Sequence, residues 1–303
     1  MMSPMATWAC EVAAARAAME AGDPAAALAA AERACNAAAG AAQAATAHRT
    51  LGDARVLAGD REGARVALQE ALRAAAELPP RHPVTALVNN SFGVLEKFCG
   101  NLDAAAAHYA AALDSHSGDD PEFRAGLLHN LGGLAHSRRD LADAENHTRA
   151  ALELHVALTG AVSPGACADR GQLASIVSGL GRHGEAIDLL AETIAGFTTL
   201  YGPDHLEVGI ARCTLGAALD RVGRLSEAEA AYRAGLAIRE AALGPEHPEL
   251  APTLLNLGRV LDRAGDRAEG RALTERAVRN LTGRVVEDHR FLVKARRRLA
   301  ERP

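Results

Sequence analysis

The sequence predicts an all-α fold, a solenoid of paired helices built on a unit of about 42 residues. Two observations carry this. The composition is 49% hydrophobic but only 3% aromatic, with abundant alanine, which favours helices over strands and lets helices approach closely. In addition, one short pattern recurs along nearly all of the 303 residues.

The turn residue is the anchor of that pattern. Gly22, Gly59, Gly100, Arg139, Gly181, Gly223 and Gly265 are separated by 37, 41, 39, 42, 42 and 42 residues. Five residues after each anchor stands a small residue: Ala27, Ala64, Ala105, Ala144, Ala186, Ala228 and Gly270. Seven residues before it stands another: Ala15, Gly52, Gly93, Gly132, Ala174, Gly216 and Gly258. Large apolar residues (Leu51, Phe92, Leu131, Leu173, Leu215, Leu257) precede most of these. Small residues at fixed offsets mark the crossing of two helices in a hairpin, where one partner must lack a bulky side chain.

Each anchor is flanked by helical segments, for example 249–263 and 267–281, with glycine supplying the positive φ of the turn. At Arg139 a non-glycine side chain would cost roughly 1 kcal/mol there, so the turn is expected to shift onto Asp140. Connections such as Leu243-Gly244-Pro245-Glu246-His247-Pro248 end one pair and open the next, with Pro248 in the first turn of the new helix. His205, His247 and His289 recur 42 residues apart and read as structural caps. The units span approximately 6–42, 43–82, 83–121, 122–162, 163–204, 205–246 and 247–283, in one domain covering 1–303, with a capping helix at 286–301. The polar connection at 114–121 is the expected hinge.

These residues resemble the tetratricopeptide repeats, in the 42-residue variety of kinesin light chains and bacterial signalling proteins. Residues 247–277 carry the leucine, glycine, turn glycine and final alanine of that pattern at Leu257, Gly258, Gly265 and Ala277, with Gly270 in place of the usual alanine. The likeness runs from about residue 7 to 282 and is weaker in the first two, shorter units. It implies a right-handed superhelix of about seven helix-turn-helix units, with the first helix of each lining a concave groove.

In the last full unit the core stripe of the first helix is Leu257, Gly258 and Leu261. The neighbouring stripe is Leu255, Asn256, Arg259, Asp262 and Arg263. The equivalent stripe is Asn90, Ser91, Val94, Lys97 and Phe98 in unit three, and His129, Asn130, Gly133, His136 and Ser137 in unit four. Unit five gives Gly171, Gln172, Ser175, Ser178 and Gly179; unit six gives Cys213, Thr214, Ala217, Asp220 and Arg221. Asn130, Gln172, Thr214 and Asn256 form a row of amides and a hydroxyl. An amide donates and accepts together, which suits an extended peptide backbone, and in the family asparagines at this position clasp ligand backbone. Gly133, Gly171, Ser175 and Gly179 give a low floor between the charges of Lys97 and of Asp220, Arg221, Arg259 and Arg263. The competing reading is a solvated helix face.

Other chemistries find little support. There is no HExxH, and His129 and His136, on one helix face, lie about 10.5 Å apart along the axis, near the limit for a shared ion. No GxSxG is present, and neither Lys97 nor Lys294 follows glycine as a phosphate loop requires. Cys10, Cys35, Cys99, Cys167 and Cys213 are too scattered for a disulfide or zinc framework and suit a reducing compartment. No cofactor is expected. Neither a signal peptide nor a membrane span is evident, so the expected location is cytoplasmic. Arginine far outnumbers lysine, which points to a bacterial coding sequence rich in G and C. The net charge of −5 conceals a basic C-terminal part, where residues 259–303 hold 13 Lys and Arg against 7 Asp and Glu. Its terminal helix offers Lys294, Arg296, Arg297 and Arg298 to an acidic partner, while RNA is disfavoured for want of an aromatic platform.

The sequence therefore predicts a non-enzymatic scaffold or adaptor that binds a peptide or protein segment in its groove, with curvature changing as the groove fills. The alternative is a ligand- or peptide-responsive protein that controls a separate effector. A metal-dependent reaction at His129 and His136 ranks below both.

Overall fold

The computed structural model describes residues 4–116 and 120–301. At each of the seven anchors the backbone turns left-handed, with φ running from 66° at Arg139 to 104° at Gly265. The next N–H then donates to the carbonyl four residues before the anchor, as from Asp23 to Ala18 (2.9 Å), Asp140 to Ala135 (3.0 Å) and Asp266 to Leu261 (2.9 Å). This closes the carbonyls left open at a helix end. The turn at Arg139 does not shift to Asp140, contrary to expectation: Arg139 itself takes the positive φ. Asp140 instead accepts from the N–H of Asp143 (3.3 Å) and caps the helix that follows. Asp23, Asp60 and Asp266 cap in the same way.

Among the described residues these turns organise fifteen α-helices, with no strand. The chain divides into two compact units, Met1–His147 and Thr148–Pro303. The first holds α1 (Pro4–Glu20), α2 (Pro24–Ala37), α3 (Ala41–Leu57), α4 (Arg61–Ala75), α5 (Pro83–Cys99), α6 (Leu102–Ser115), α7 (Pro121–Ser137) and the start of α8 (Leu141–Thr159). The second holds the rest of α8, α9 (Pro164–Gly179), α10 (His183–Tyr201), α11 (Leu206–Arg221), α12 (Leu225–Leu243), a 3-10 turn at Pro248–Leu250, α13 (Ala251–Ala264), α14 (Arg267–Leu281) and α15 (Arg290–Ala300). In chain order these are seven helix-turn-helix pairs and a closing helix, the all-α repeat fold the sequence predicts. Of the expected hinge, Ser117, Gly118 and Asp119 lie outside the described residues.

Within each pair the crossing is set by the small residues. A Cβ on Gly52 would come within 2.7 Å of the Leu68 side chain, and one on Gly216 within 2.8 Å of the Tyr232 ring. Gly93 stands against Tyr109 in the same way. Tyr109 and Tyr232 are fully buried and hold the same register position, sixteen residues after the glycine. Helix packing this close removes apolar surface from water even where the side chains are short, as in the alanine cluster Ala15, Ala27, Ala30, Ala31, Ala54 and Ala67 of the first unit. The second unit is held by larger groups, with Leu250, Leu254, Leu257, Leu261, Leu281 and Leu292 in one cluster.

In both units each odd-numbered helix also packs against the next odd one: α1 on α3, α3 on α5 and α5 on α7, then α9 on α11, α11 on α13 and α13 on α15. The even-numbered helices α12 and α14 instead meet through long side chains, as where Arg233 clasps Glu269 with two hydrogen bonds (2.8 and 2.7 Å). The odd helices thus build one face of each unit together, and that face carries the predicted site residues.

Candidate functional site

In the first unit, α5 and α7 place their polar stripe side by side. Asn130 Nδ2 donates to Asn90 Oδ1 (2.9 Å), so this amide is already linked to its neighbour one repeat earlier. Lys97 is half-buried, and burial lowers the pKa of its ammonium. Its Nζ stands 5.8 Å from the ring centroid of Phe98, which is 58% exposed. Ser91, placed in the stripe by spacing, is buried. His136 is half-buried, and burial followed by the charge of Arg139 lowers its pKa. His129 is also half-buried. Among the described residues no three His, Cys, Asp or Glu side chains come together as a metal site.

In the second unit the hydroxyl and amide row divides by partner. Gln172 Nε2 donates to Thr148 Oγ1 (3.0 Å), and Thr214 Oγ1 donates back to the carbonyl of Ile210 (3.0 Å). Asn256 is half-buried and makes no side-chain hydrogen bond among the described residues. Gly171 lies on α9 where an added Cβ would meet the Thr193 methyl at 3.5 Å, an ordinary packing distance. Gly133 belongs to the first unit, and Ser175 and Gly179 to the second.

Asp220 requires a correction. Helical spacing puts it in the exposed stripe, but it is 1% exposed. Two arginines from the next repeat cover it: Arg259 Nη2 lies 2.5 Å from Oδ2, and Arg263 pairs with Oδ1. A carboxylate leaves water only with such compensation. Asp220 is thus an internal counter-ion that holds Arg259 and Arg263, each side chain 45% exposed, at the surface. Leu255 is likewise core rather than stripe. Arg221 is exposed and has no ion pair among the described residues.

The repeated histidines divide too. His205 Nδ1 accepts from the N–H of Glu207 and His247 Nδ1 from that of Glu249, both at 3.3 Å. His289 makes no such bond, and its buried Nδ1 has no partner. His82, in the same register three units before His205, caps Val84 (3.3 Å) and was not singled out by the sequence pattern.

A family signature described as tetratricopeptide repeat matches residues 166–241 and 223–282. Residues 166–282 are tetratricopeptide repeats. Solved structures extend the likeness of fold beyond the matched repeats. A Rap protein complexed with competence and sporulation factor is 14% identical, with a TM-score of 0.74 over 95% of this chain and 80% of that one. The apo quorum sensor NprR from B. thuringiensis is 12% identical, with a TM-score of 0.67 over 88% and 72%. A kinesin light chain with nearly identical TPR-like repeats from Podospora anserina gives 19% identity and a TM-score of 0.53 over 67% and 99%. Comparison with curated proteins finds no match.

In the first helix pairs a polar group emerges that the sequence pattern did not single out. Asp53 on α3 is paired with Arg49 (2.8 Å) and sits beside Ser91 of α5 and Arg16 of α1. Burial, then Arg49, lowers the pKa of Arg16. Arg16 and Asp53 stand six residues before their anchors, the register of Val94 and Arg259. Extending the stripe offsets to the two shorter copies would have found them.

Proposed function

We propose that this protein is a non-enzymatic module that binds a peptide or protein segment on the face built by its odd-numbered helices, as a scaffold or adaptor. The observation that carries this reading is Asn256. It stands in the amide row of the sequence, half-buried, with no internal hydrogen bond and with Arg259 and Arg263 fixed one turn and two turns away by Asp220. A free amide beside held guanidinium groups offers a peptide backbone a donor and an acceptor, and offers acidic side chains a charge partner. In the first unit Asn130, Lys97, His129 and His136 are the corresponding contacts, and Gln172, Thr214 and Arg221 are those of the second. Asp220 acts by positioning. The Rap protein complexed with competence and sporulation factor supports binding by this kind of fold.

The test is a peptide-display selection on the full chain, followed by calorimetry of the selected peptide. Asn130→Ala plus Asn256→Ala is expected to weaken binding at least tenfold. Unchanged affinity in that double variant overturns the assignment of the face.

A second reading is a regulator whose ligand controls a separate effector. The likeness to NprR, a quorum sensor, favours it. A ligand-dependent change in binding to a co-purified effector separates it from a passive scaffold.

A further inference from the structure

The last helix pair departs from the others at its centre. Thr274 holds the register position that Leu68, Tyr109, Leu190 and Tyr232 fill in four other pairs, with Ala31 and Thr148 in the remaining two, and Gly270 replaces the alanine that all six other pairs share. Beside Thr274 a cavity of about 450 Å³ opens between the end of α13, the first half of α14 and α15. Its walls carry four arginines, Arg263, Arg267, Arg271 and Arg298, with Asp262 and Thr274. Asp262 is the one acidic side chain among the lining residues.

Two of these cations recur once, as Arg61 and Arg65 of α4, but there Arg65 pairs with Glu96 and the buried Leu68 fills the position of Thr274. In the preceding repeat the positions of Arg267, Arg271 and Arg298 are Leu225, Glu229 and Asn256. Arg267 and Arg271 stand in the first two turns of α14, where the helix already presents partial positive charge and a cation is disfavoured. Arg298 is anchored by Asp262 and by the Leu255 carbonyl (both 2.8 Å), Arg263 by Asp220 and Arg271 by Glu275 (3.0 Å). The Arg267 side chain has no ion pair or hydrogen bond among the described residues. Three guanidinium groups are therefore oriented by carboxylates while a fourth is open. Nearby, Lys294 has a lowered pKa, through burial first and then the charges of Arg259 and Arg298, which reports positive potential around the cavity.

We propose that this cavity is a binding site for a small phosphate-bearing molecule, its oxyanion held by Arg267, Arg271 and Arg298. Planar guanidinium groups pair with phosphate oxygens through parallel hydrogen bonds. The doubly charged group suits several arginines better than a single carboxylate does, and a helix N-terminus adds to the attraction. The volume lies in the range of small-molecule pockets.

The experiment is calorimetric titration of the full chain with pyrophosphate at fixed sodium chloride. Saturable binding of one ion per chain is expected. Arg267→Ala plus Arg271→Ala should weaken it at least tenfold. Thr274→Tyr, which restores the side chain of Tyr232's position and leaves the net charge alone, should do the same by filling the space. Helical circular dichroism checks that each variant folds, and the arginine variant decides if the tyrosine one does not. Absence of saturable binding, or affinity unchanged in a folded variant, overturns the proposal. So does binding of a phosphoserine peptide without binding of pyrophosphate. Asn256 is outside the cavity lining, so this result and the peptide result stand or fall separately.

Discussion

Asp220 of α11 and Arg259 of α13 face each other at 2.5 Å, the carboxylate covered and the guanidinium nearly half exposed. Arg263 closes the other oxygen, so one buried charge ties two consecutive repeats together and orients two surface cations. Removing the carboxylate leaves both cations without their counter-charge. Asp220→Ala is expected to destabilise the protein by about 2 kcal/mol, below the cost of breaking a fully buried pair because the arginines can turn to water. Urea unfolding monitored by circular dichroism measures this. A loss under about 0.5 kcal/mol, the range of ordinary surface substitutions, would show that the pair contributes little.

Tyr232 tests the helix crossing. Its hydroxyl is buried without a partner, as is that of Tyr109 in the same register. An unsatisfied buried hydroxyl is a desolvation penalty with no return. Tyr232→Phe is therefore expected to be neutral or stabilising by up to about 1 kcal/mol, whereas Gly216→Leu drives a side chain into the ring and should cost about 1–3 kcal/mol. Thermal unfolding of both variants gives the comparison, and a destabilised Tyr232→Phe would mean that the hydroxyl has found a partner.

Arg139 carries the strain of the one anchor that is not glycine, at φ 66°. Arg139→Gly should raise stability by about 1 kcal/mol, the left-handed penalty less the extra freedom glycine has when unfolded. Denaturant midpoints of the two proteins decide it, and a lowered midpoint would indicate that the arginine side chain contributes more than its backbone costs.

The repeat register made the helix pairs legible because turns and crossings obey local rules. A positive φ, met by glycine at six anchors and by Arg139 at the seventh, and a small residue at the helix crossing recur with the hairpin, so both show in the sequence. The site was legible only by row. Spacing placed Asp220 and Asn256 on exposed stripes of their helices, but burial depends on what the next repeat lays over a position. Arg259 and Arg263 cover Asp220, whereas Asn256 is left open. Likewise His205, His247 and His289 look identical in sequence. Only the first two have an N–H two residues on within reach of Nδ1. The hollow at Thr274 was in the register all along, as a small residue where Tyr232 and Leu190 stand, but its meaning depends on the arginines that three helices bring around it.

His108 gives the last prediction, and its sign follows from burial. The ring stacks on Phe92 with centroids 4.6 Å apart, and Nδ1 lies 3.3 Å from Asn89 Oδ1. Burial lowers its pKa, opposed by Glu96 and assisted by Arg65. The folded state therefore disfavours the proton relative to the unfolded chain. Above the unfolded pKa of about 6.5 both states are neutral and this contribution to stability is complete. As pH falls below that value the unfolded chain takes the proton first, and stability is lost until the folded pKa is passed. The affected window lies mostly above the carboxylate range, so the lowered pKa of Glu96 acts at lower pH. Between about pH 7 and 5.5 the unfolding free energy should fall more steeply in the native protein than in His108→Gln, which keeps a polar group near Asn89 without a titrating ring. Urea titrations at several pH values read the two slopes. Equal slopes would place the titration elsewhere, with His136, also depressed by burial, the next group to replace.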